Sequence, residues 1–496
     1  MMLRLLTRLL LIMSLLALAI WWGWRLLHAP PQATAADGAT LEWGECWFEV
    51  PLLTPVHCGR LHTSGSRTFS LPVVYLRAPF WSRSAPPVLY IAGGPGGATG
   101  LDAQNMPSWF TWVEQVGWSS DVILYDQRGV GLSEPALGCP ETTQRRRELL
   151  DSTLPTEQEY VLMRDASLAC LERLRDEGWD LGLFSSPHNA DDALALVKAL
   201  RLDEWQIYGV SYGTRVALEM MRREPAGLRA VVLDSVYPPT VAGEGSDTWL
   251  LNRSLQLFMR SCELLSECDF HPERLRADLE NAMAYLHRRP LRLELRDPDN
   301  GLPLAVRMDA DDLAWLIFES QYMWSNLRLL PGAISSLAKG NVSSELRAML
   351  QESLELMLDD SLSEAVSNAV DCADNRYFPR EEFARQLYRY PMVASIRRHD
   401  WDYGACRDWK FDDAGEHFRQ PVISDIPTLL LAGEFDPVTP PQWAYEAAGR
   451  LRNSYTFTFP GIGHGVLDSD SCGLEVVRAF LAQPENPQAP DCLRFF

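Results

Sequence analysis

The 496-residue sequence predicts an α/β fold: a doubly wound, mostly parallel sheet with a mainly helical cap inserted late in the chain. Three observations carry this. Short apolar runs end repeatedly at glycine-rich or acidic loops, at 87–92, 122–125, 205–210, 427–433 and 455–459. Such a succession marks the carboxyl edge of a doubly wound sheet, where these folds bind ligands. Helical patterns at 157–176 and 189–200 separate the early runs, as crossovers between parallel strands must. From 237 to 424 strand runs become few and long amphipathic patterns take over, which reads as a helical insertion covering that edge.

In chain order, residues 1–40 place Arg4 and Arg8 ahead of an uncharged apolar run at 9–24, followed by a linker with Pro30 and Pro31. This is an export segment. It is either a signal cleaved near Ala33-Thr34-Ala35 or a retained single-span anchor, with Trp21, Trp22 and Trp24 at the far interface. A sixteen-residue helix rises about 24 Å against a hydrocarbon core of about 30 Å. The anchor is the reading favoured here. Residues 41–78 alternate apolar and polar positions between turn residues, as in two or three antiparallel strands. The core's first part is expected to span 41–236, the cap 237–424 and the core's second part 425–496, with a Pro-rich tail at 484–490.

The composition, 47% hydrophobic and 22% charged, excludes disordered and polytopic membrane classes. A balance of 45 Lys plus Arg against 66 Asp plus Glu gives a net charge of -21, which repels nucleic acid. Nucleic-acid partners are not expected. The ten cysteines form no CxxC pair or Cys/His cluster of zinc spacing, so neither metal nor cofactor is expected. In an exported chain they suggest disulfides instead, and pairing neighbours in sequence gives five local loops, from Cys46 with Cys58 to Cys472 with Cys492.

Chemistry concentrates at Gly209-Val210-Ser211-Tyr212-Gly213, between the apolar run 205–210 and a helical pattern carrying Val216, Ala217, Met220 and Met221. A serine on a sharp strand-to-helix turn has its hydroxyl held out at the strand's end. Acyl transfer by serine also needs a base, an acid to orient that base, and N–H donors for the developing oxyanion. His464, in Gly461-Ile462-Gly463-His464-Gly465, supplies a base on a glycine loop after a late strand. Asp436, in Glu434-Phe435-Asp436-Pro437, supplies the acid, with Glu434 as its competitor. The expected oxyanion donors are the N–H of Tyr212 and one from the turn after 87–92, assigned to Gly94. The chain order Ser, Asp, His is that of an α/β-hydrolase.

Taken together, GGPGG at 93–97, YDQRGVGLS at 125–133, GVSYG at 209–213, GEFDPVTPP at 433–441 and GIGHG at 461–465 resemble the proline iminopeptidase and tripeptidyl aminopeptidase family of α/β-hydrolases. The resemblance runs over about 41–496, and the segments around Cys372 and Cys406 resemble its secreted tripeptidyl branch. It implies catalytic roles for Ser211, Asp436 and His464 and an oxyanion hole of Gly94 and Tyr212. Ala92 stands where many proline iminopeptidases have histidine, which favours the tripeptidyl side. Exopeptidases of this kind hold the substrate's free amino terminus with acidic cap residues. Glu319, the one charge between Leu313 and Arg328, is the candidate here, the alternative being a solvent-facing helix residue. Asp371 and Asp374 are further candidates. The function expected is therefore an exported serine aminopeptidase that releases one to three residues from peptides with a free N-terminus. The alternatives are an esterase or amidase using the same triad, and a catalytically silent binding protein on a hydrolase scaffold.

Overall fold

The structure, a computed structural model, describes residues 13–14 and 30–492 apart from 37, 53, 80, 82, 265–270, 323, 376–377, 410 and 488–490. The apolar run 9–24 lies outside the described residues except for Met13 and Ser14. No helix among the described residues is long and apolar enough to cross a membrane.

Numbered along the chain, the strands are β1 (Ala35–Ala36), β2 (Ala39–Gly44), β3 (Val56–His62), β4 (Ser70–Leu76), β5 (Val88–Ile91), β6 (Val122–Tyr125), β7 (Trp205–Val210), β8 (Leu228–Asp234), β9 (Leu291–Arg296), β10 (Pro303–Met308), β11 (Thr428–Gly433) and β12 (Ser454–Phe459). Ten of them form one sheet in the order β1-β2-β3-β4-β6-β5-β7-β8-β11-β12. From β6 to β12 in that order the strands run parallel, and β1 to β4 extend the sheet antiparallel. The chain thus has the α/β-hydrolase architecture expected from its strand runs.

Both sheet faces are covered, which is why the central strands read as continuous apolar runs rather than alternating ones. Side chains alternate across a strand. Val231, Leu233, Leu430 and Ala432 accordingly pack on one face with the helices Ser186–Ala199 and Tyr212–Arg222. Ala230, Val232, Leu429 and Leu431 pack on the other with helices Met106–Val116 and Ser471–Ala482.

The insertion has its own core, built by Leu251, Leu255 and Phe258 from helix Gly243–Leu264, Leu313 and Ile317 from Ala310–Ser320, and Ile334 from Trp324–Leu337. The insertion is mainly helical, as expected, and two features add to that reading. First, β9 and β10 form an antiparallel hairpin whose Leu293, Leu295 and Met308 are buried in that core. The signal was present as the period-two run Leu291, Leu293, Leu295 followed by a turn at 297–301. Second, helix Glu364–Asp374 joins the hydrolase core instead, through Ala365, Val366, Ala369 and Val370.

Cysteines pair as sequence neighbours: Cys46–Cys58, Cys139–Cys170, Cys372–Cys406 and Cys472–Cys492. Cys262 is also disulfide-bonded, and its expected partner Cys268 lies outside the described residues.

The loop after β6 is locked by an ion pair between Arg128 and Asp192, 5% and 3% exposed, with Nε to Oδ2 at 2.8 Å and Nη2 to Oδ1 at 2.7 Å. Asp192→Ala leaves a buried guanidinium without its counter-ion and should cost about 3–5 kcal/mol in urea unfolding, whereas an apolar replacement of both partners should recover most of the loss. Equal destabilisation by the single and double changes would contradict this account.

Candidate active site

Ser211 sits between β7 and helix Tyr212–Arg222 with φ 55° and ψ -124°. A non-glycine residue rarely occupies this region, at a cost of about 1–3 kcal/mol, so surrounding contacts must impose it. Those contacts are visible. Ser211 N–H donates to Asp234 O at 2.9 Å, and its carbonyl accepts from Thr214 N–H at 2.9 Å and Thr214 Oγ1 at 2.6 Å. The helix also passes so close to β5 that a β-carbon on Gly213 would come within 2.1 Å of Ile91 O, so only glycine fits.

The glycine loop after β5 lies against the serine, since a β-carbon on Gly93 would be 3.2 Å from Ser211 Cβ. Gly94 follows with φ 126°, and among the described residues its N–H has no acceptor. Tyr212 is the first residue of its helix, so its N–H is among those a helix leaves unpaired.

Asp436 and His464 stand on the loops after β11 and β12. Their side chains meet, His464 Nδ1 to Asp436 Oδ2 at 2.8 Å. The carboxylate can only accept, so Nδ1 carries the hydrogen and Nε2 keeps its lone pair. Asp436 is fully buried; its Oδ1 accepts from Val438 N–H at 3.0 Å and Thr439 N–H at 2.8 Å, and its Oδ2 from Thr439 Oγ1 at 2.7 Å. Burial alone would raise its pKa, but the pairing with His464 and the Thr439 bonds outweigh burial and hold it below the ordinary value. Burial alone would lower His464, and the Asp436 carboxylate reverses this to a net rise. Glu434 is engaged elsewhere, accepting from Gly461 N–H at 3.0 Å.

Among the described residues no hydrogen bond joins Ser211 Oγ to His464. The two are tied through the end of β8. The Asp234 carboxylate accepts from Val466 and Leu467 N–H, both at 2.9 Å, and Ser235 Oγ accepts from Gly465 N–H at 2.9 Å. Cap residues close the other side. Tyr322 O accepts from His464 N–H at 3.2 Å, the two rings lie edge to face at 5.2 Å, and Arg253 donates to the carbonyls of Asp436 at 2.7 Å and Glu434 at 2.8 Å.

Glu319 is half-buried on the cap helix Ala310–Ser320, and its carboxylate accepts from Ser353 Oγ. Burial raises its pKa. It stands just ahead of Tyr322, whose N–H donates to Glu319 O at 3.0 Å and whose ring lies against His464. Asp374 is not available to a substrate amine: it is fully buried, bonded to Ser186 and 4.0 Å from Arg215. Asp371 is half-buried on the same helix.

Sequence reasoning missed Thr439, Asp234, Ser235, Arg253 and Tyr322. Asp-Pro-Val-Thr was readable as a turn in which a carboxylate accepts from the N–H groups two and three residues on. A carboxylate ending the apolar run 228–234 was a second signal.

A family model described as TAP-like protein matches residues 394–492. The chain is 25% identical over 491 residues to the putative hydrolase YuaR of Escherichia coli, covering 91% of this chain and 92% of that one. It is 23% identical over 424 residues to the serine protease Hip1 of Mycobacterium tuberculosis, covering 80% and 78%. Against the tripeptidyl aminopeptidase of Streptomyces coelicolor it is 25% identical over 245 residues, covering 44% and 42%. With the fold and the motif order already described, the chain is an α/β-hydrolase that is similar to members of the proline iminopeptidase and tripeptidyl aminopeptidase family.

Proposed function

We propose that the chain is an exported serine aminopeptidase in which Ser211 is the nucleophile, His464 the general base and Asp436 its orienting acid. The observation that carries the reading is the Ser211 turn, held in a strained conformation at the same sheet edge as the His464–Asp436 pair. In the proposed cycle, Nε2 of His464 takes the Ser211 hydroxyl proton as Oγ attacks the scissile carbonyl. The oxyanion is received by the N–H groups of Gly94 and Tyr212, each worth about 10²- to 10³-fold in rate. His464 then passes its proton to the leaving amine. Water, activated by the same nitrogen, hydrolyses the acyl-enzyme and frees a fragment of one to three residues.

Specificity for a free amino terminus rests on the cap carboxylate Glu319. Tyr322, whose N–H donates to Glu319 O at 3.0 Å, packs on His464, so an ammonium bound by Glu319 would lie on the reacting centre's side of the cap. Peptide-cleaving names among the relatives, serine protease and tripeptidyl aminopeptidase, support peptide substrates. Disulfides support an oxidising compartment. For the amino-terminal segment the anchor reading is kept, on the positive charges before the apolar run and the tryptophans at its far end.

The decisive comparison is hydrolysis of a tripeptide-aminocoumarin, its N-acetylated twin and p-nitrophenyl butyrate. Acetylation should abolish peptide turnover, and Ser211→Ala should lower kcat by about 10⁵- to 10⁶-fold. Equal turnover of the acetylated peptide with faster ester cleavage would make the chain an esterase.

His464 acts as a base only when neutral, and its pKa lies above the ordinary 6.5, so kcat/KM should rise with pH through a value above 6.5. Asp436→Asn removes the charge that raises it, moving this limb to lower pH while kcat falls about 10⁴-fold. A limb that stays in place would remove Asp436 from the role.

Glu319→Gln should raise KM for the free-amine substrate by about tenfold or more with a smaller change in kcat, the loss of one charge-assisted hydrogen bond. Unchanged KM would return Glu319 to a structural role in the cap.

A further inference from the structure

We infer that helix Glu364–Asp374, closed by the Cys372–Cys406 disulfide, positions both oxyanion donors, with Asp374 and Ser186 as the positioning residues at the Tyr212 end. The inference rests on the proposed nucleophilic role of Ser211 and goes beyond it.

The amino-terminal end of this helix holds the glycine loop. Ser363 N–H donates to Gly96 O at 2.8 Å, and Leu362 pairs with Gly97 in an antiparallel bridge. Gly96, at φ 85°, lies so tightly on the helix start that a β-carbon would come within 2.4 Å of Ser363 O. The loop that carries Gly94 is therefore backed by the start of this helix two residues further on.

The carboxyl-terminal end holds the other donor. Asp374 accepts from Ser186 N–H at 3.0 Å through Oδ1 and from Ser186 Oγ–H at 2.5 Å through Oδ2. Ser186 Oγ and Asn189 Nδ2 each lie 2.9 Å from Tyr212 Oη. Arg215, three residues after Tyr212, carries its buried guanidinium 4.0 Å from Asp374 and shares its hydrogens with Asn375 Oδ1 at 3.3 Å. Tyr212 is thus held by its side chain at the first position of the helix, where its backbone N–H is the expected donor.

An eleven-residue helix spans roughly 15 Å, so its first turn braces the glycine loop while its last turn anchors, through Ser186, the far end of the Tyr212 side chain. The disulfide prevents its last turn from sliding. Cys372 sits in that turn, Cys406 in the short turn Ala405–Arg407, and the fully buried Trp409 pins the segment that follows. A buried polar chain of this kind is stabilising only when complete, because each orphaned group would carry its full desolvation penalty.

The test uses the full chain with Ser186→Ala, and separately with Cys372→Ser and Cys406→Ser combined. Both should lower kcat on the tripeptide-aminocoumarin at least tenfold while KM stays within twofold. Affinity for a peptidyl trifluoromethyl ketone, whose adduct places an oxyanion in the hole, should fall by the same factor, and the acidic limb set by His464 should not move. Wild-type kcat in Ser186→Ala, a loss carried by KM, or an acidic limb that shifts with kcat would each overturn the inference. If the double cysteine variant fails to fold, Ser186→Ala decides alone, since it breaks the link and leaves every disulfide in place. Fluorophosphonate labelling of the wild type separates the two readings: absence of labelling at Ser211 sinks the serine hydrolase mechanism, whereas labelling with unchanged variant kinetics sinks only the positioning role.

Discussion

The end of β8 is where the arrangement is held together. Asp234 is fully buried, and burial drives its carboxyl toward the neutral form, raising its pKa. Three donors oppose that: the N–H groups of Val466 and Leu467 and the hydroxyl of Tyr208 at 2.8 Å. Its carbonyl meanwhile receives the N–H of Ser211. A single residue therefore grips the serine's turn through its backbone and the histidine's loop through its side chain. Ser235 completes the clasp at φ 59°, a conformation maintained by its N–H bond to Leu431 O and its side-chain bond to Gly465. Losing the carboxylate would strand two amides and a phenol in an apolar interior, each at about 1–3 kcal/mol.

The cap completes the site as well as covering it. Arg253 holds the carbonyls on either side of the Asp436 turn, Tyr322 holds the His464 backbone, and Ser363 holds the glycine loop. The Asp436, His464 and glycine loops thus each have a partner in the insertion. Rigid-body withdrawal of the whole insertion would undo the geometry proposed for catalysis, so substrate entry must use local motion or a standing gap between cap elements.

Much of this was legible because it is local. Five strand ends, the helix after Ser211, and the glycine loops carrying Gly94 and His464 all announce themselves within windows of about ten residues, where periodicity and turn chemistry operate. Legibility failed where partners come from distant segments. Asp374 reads from the sequence as a further candidate amine anchor, yet its neighbour is Ser186, 188 residues earlier, and no local pattern encodes that. Arg253 and Asp436, 183 residues apart, are the same case. Helix Glu364–Asp374 shows the limit from the other side: its amphipathicity was readable, but whether its apolar stripe would face the cap or the hydrolase core was not, since a stripe of Ala and Val suits either surface.

The disulfides carry a consequence for how the chain is made. The four described pairs join cysteines 12, 31, 34 and 20 positions apart, and no bond crosses from one pair's interval into another's. In a chain threaded amino terminus first into an oxidising space, each cysteine meets its proper partner as the next to arrive. Bonds can then close in order of emergence, so correct oxidation needs no reshuffling among the many pairings that ten cysteines otherwise allow. In such a chain the Cys139–Cys170 and Cys372–Cys406 pairs can close before β11 and β12 emerge, whereas Cys472–Cys492 closes only after every strand has.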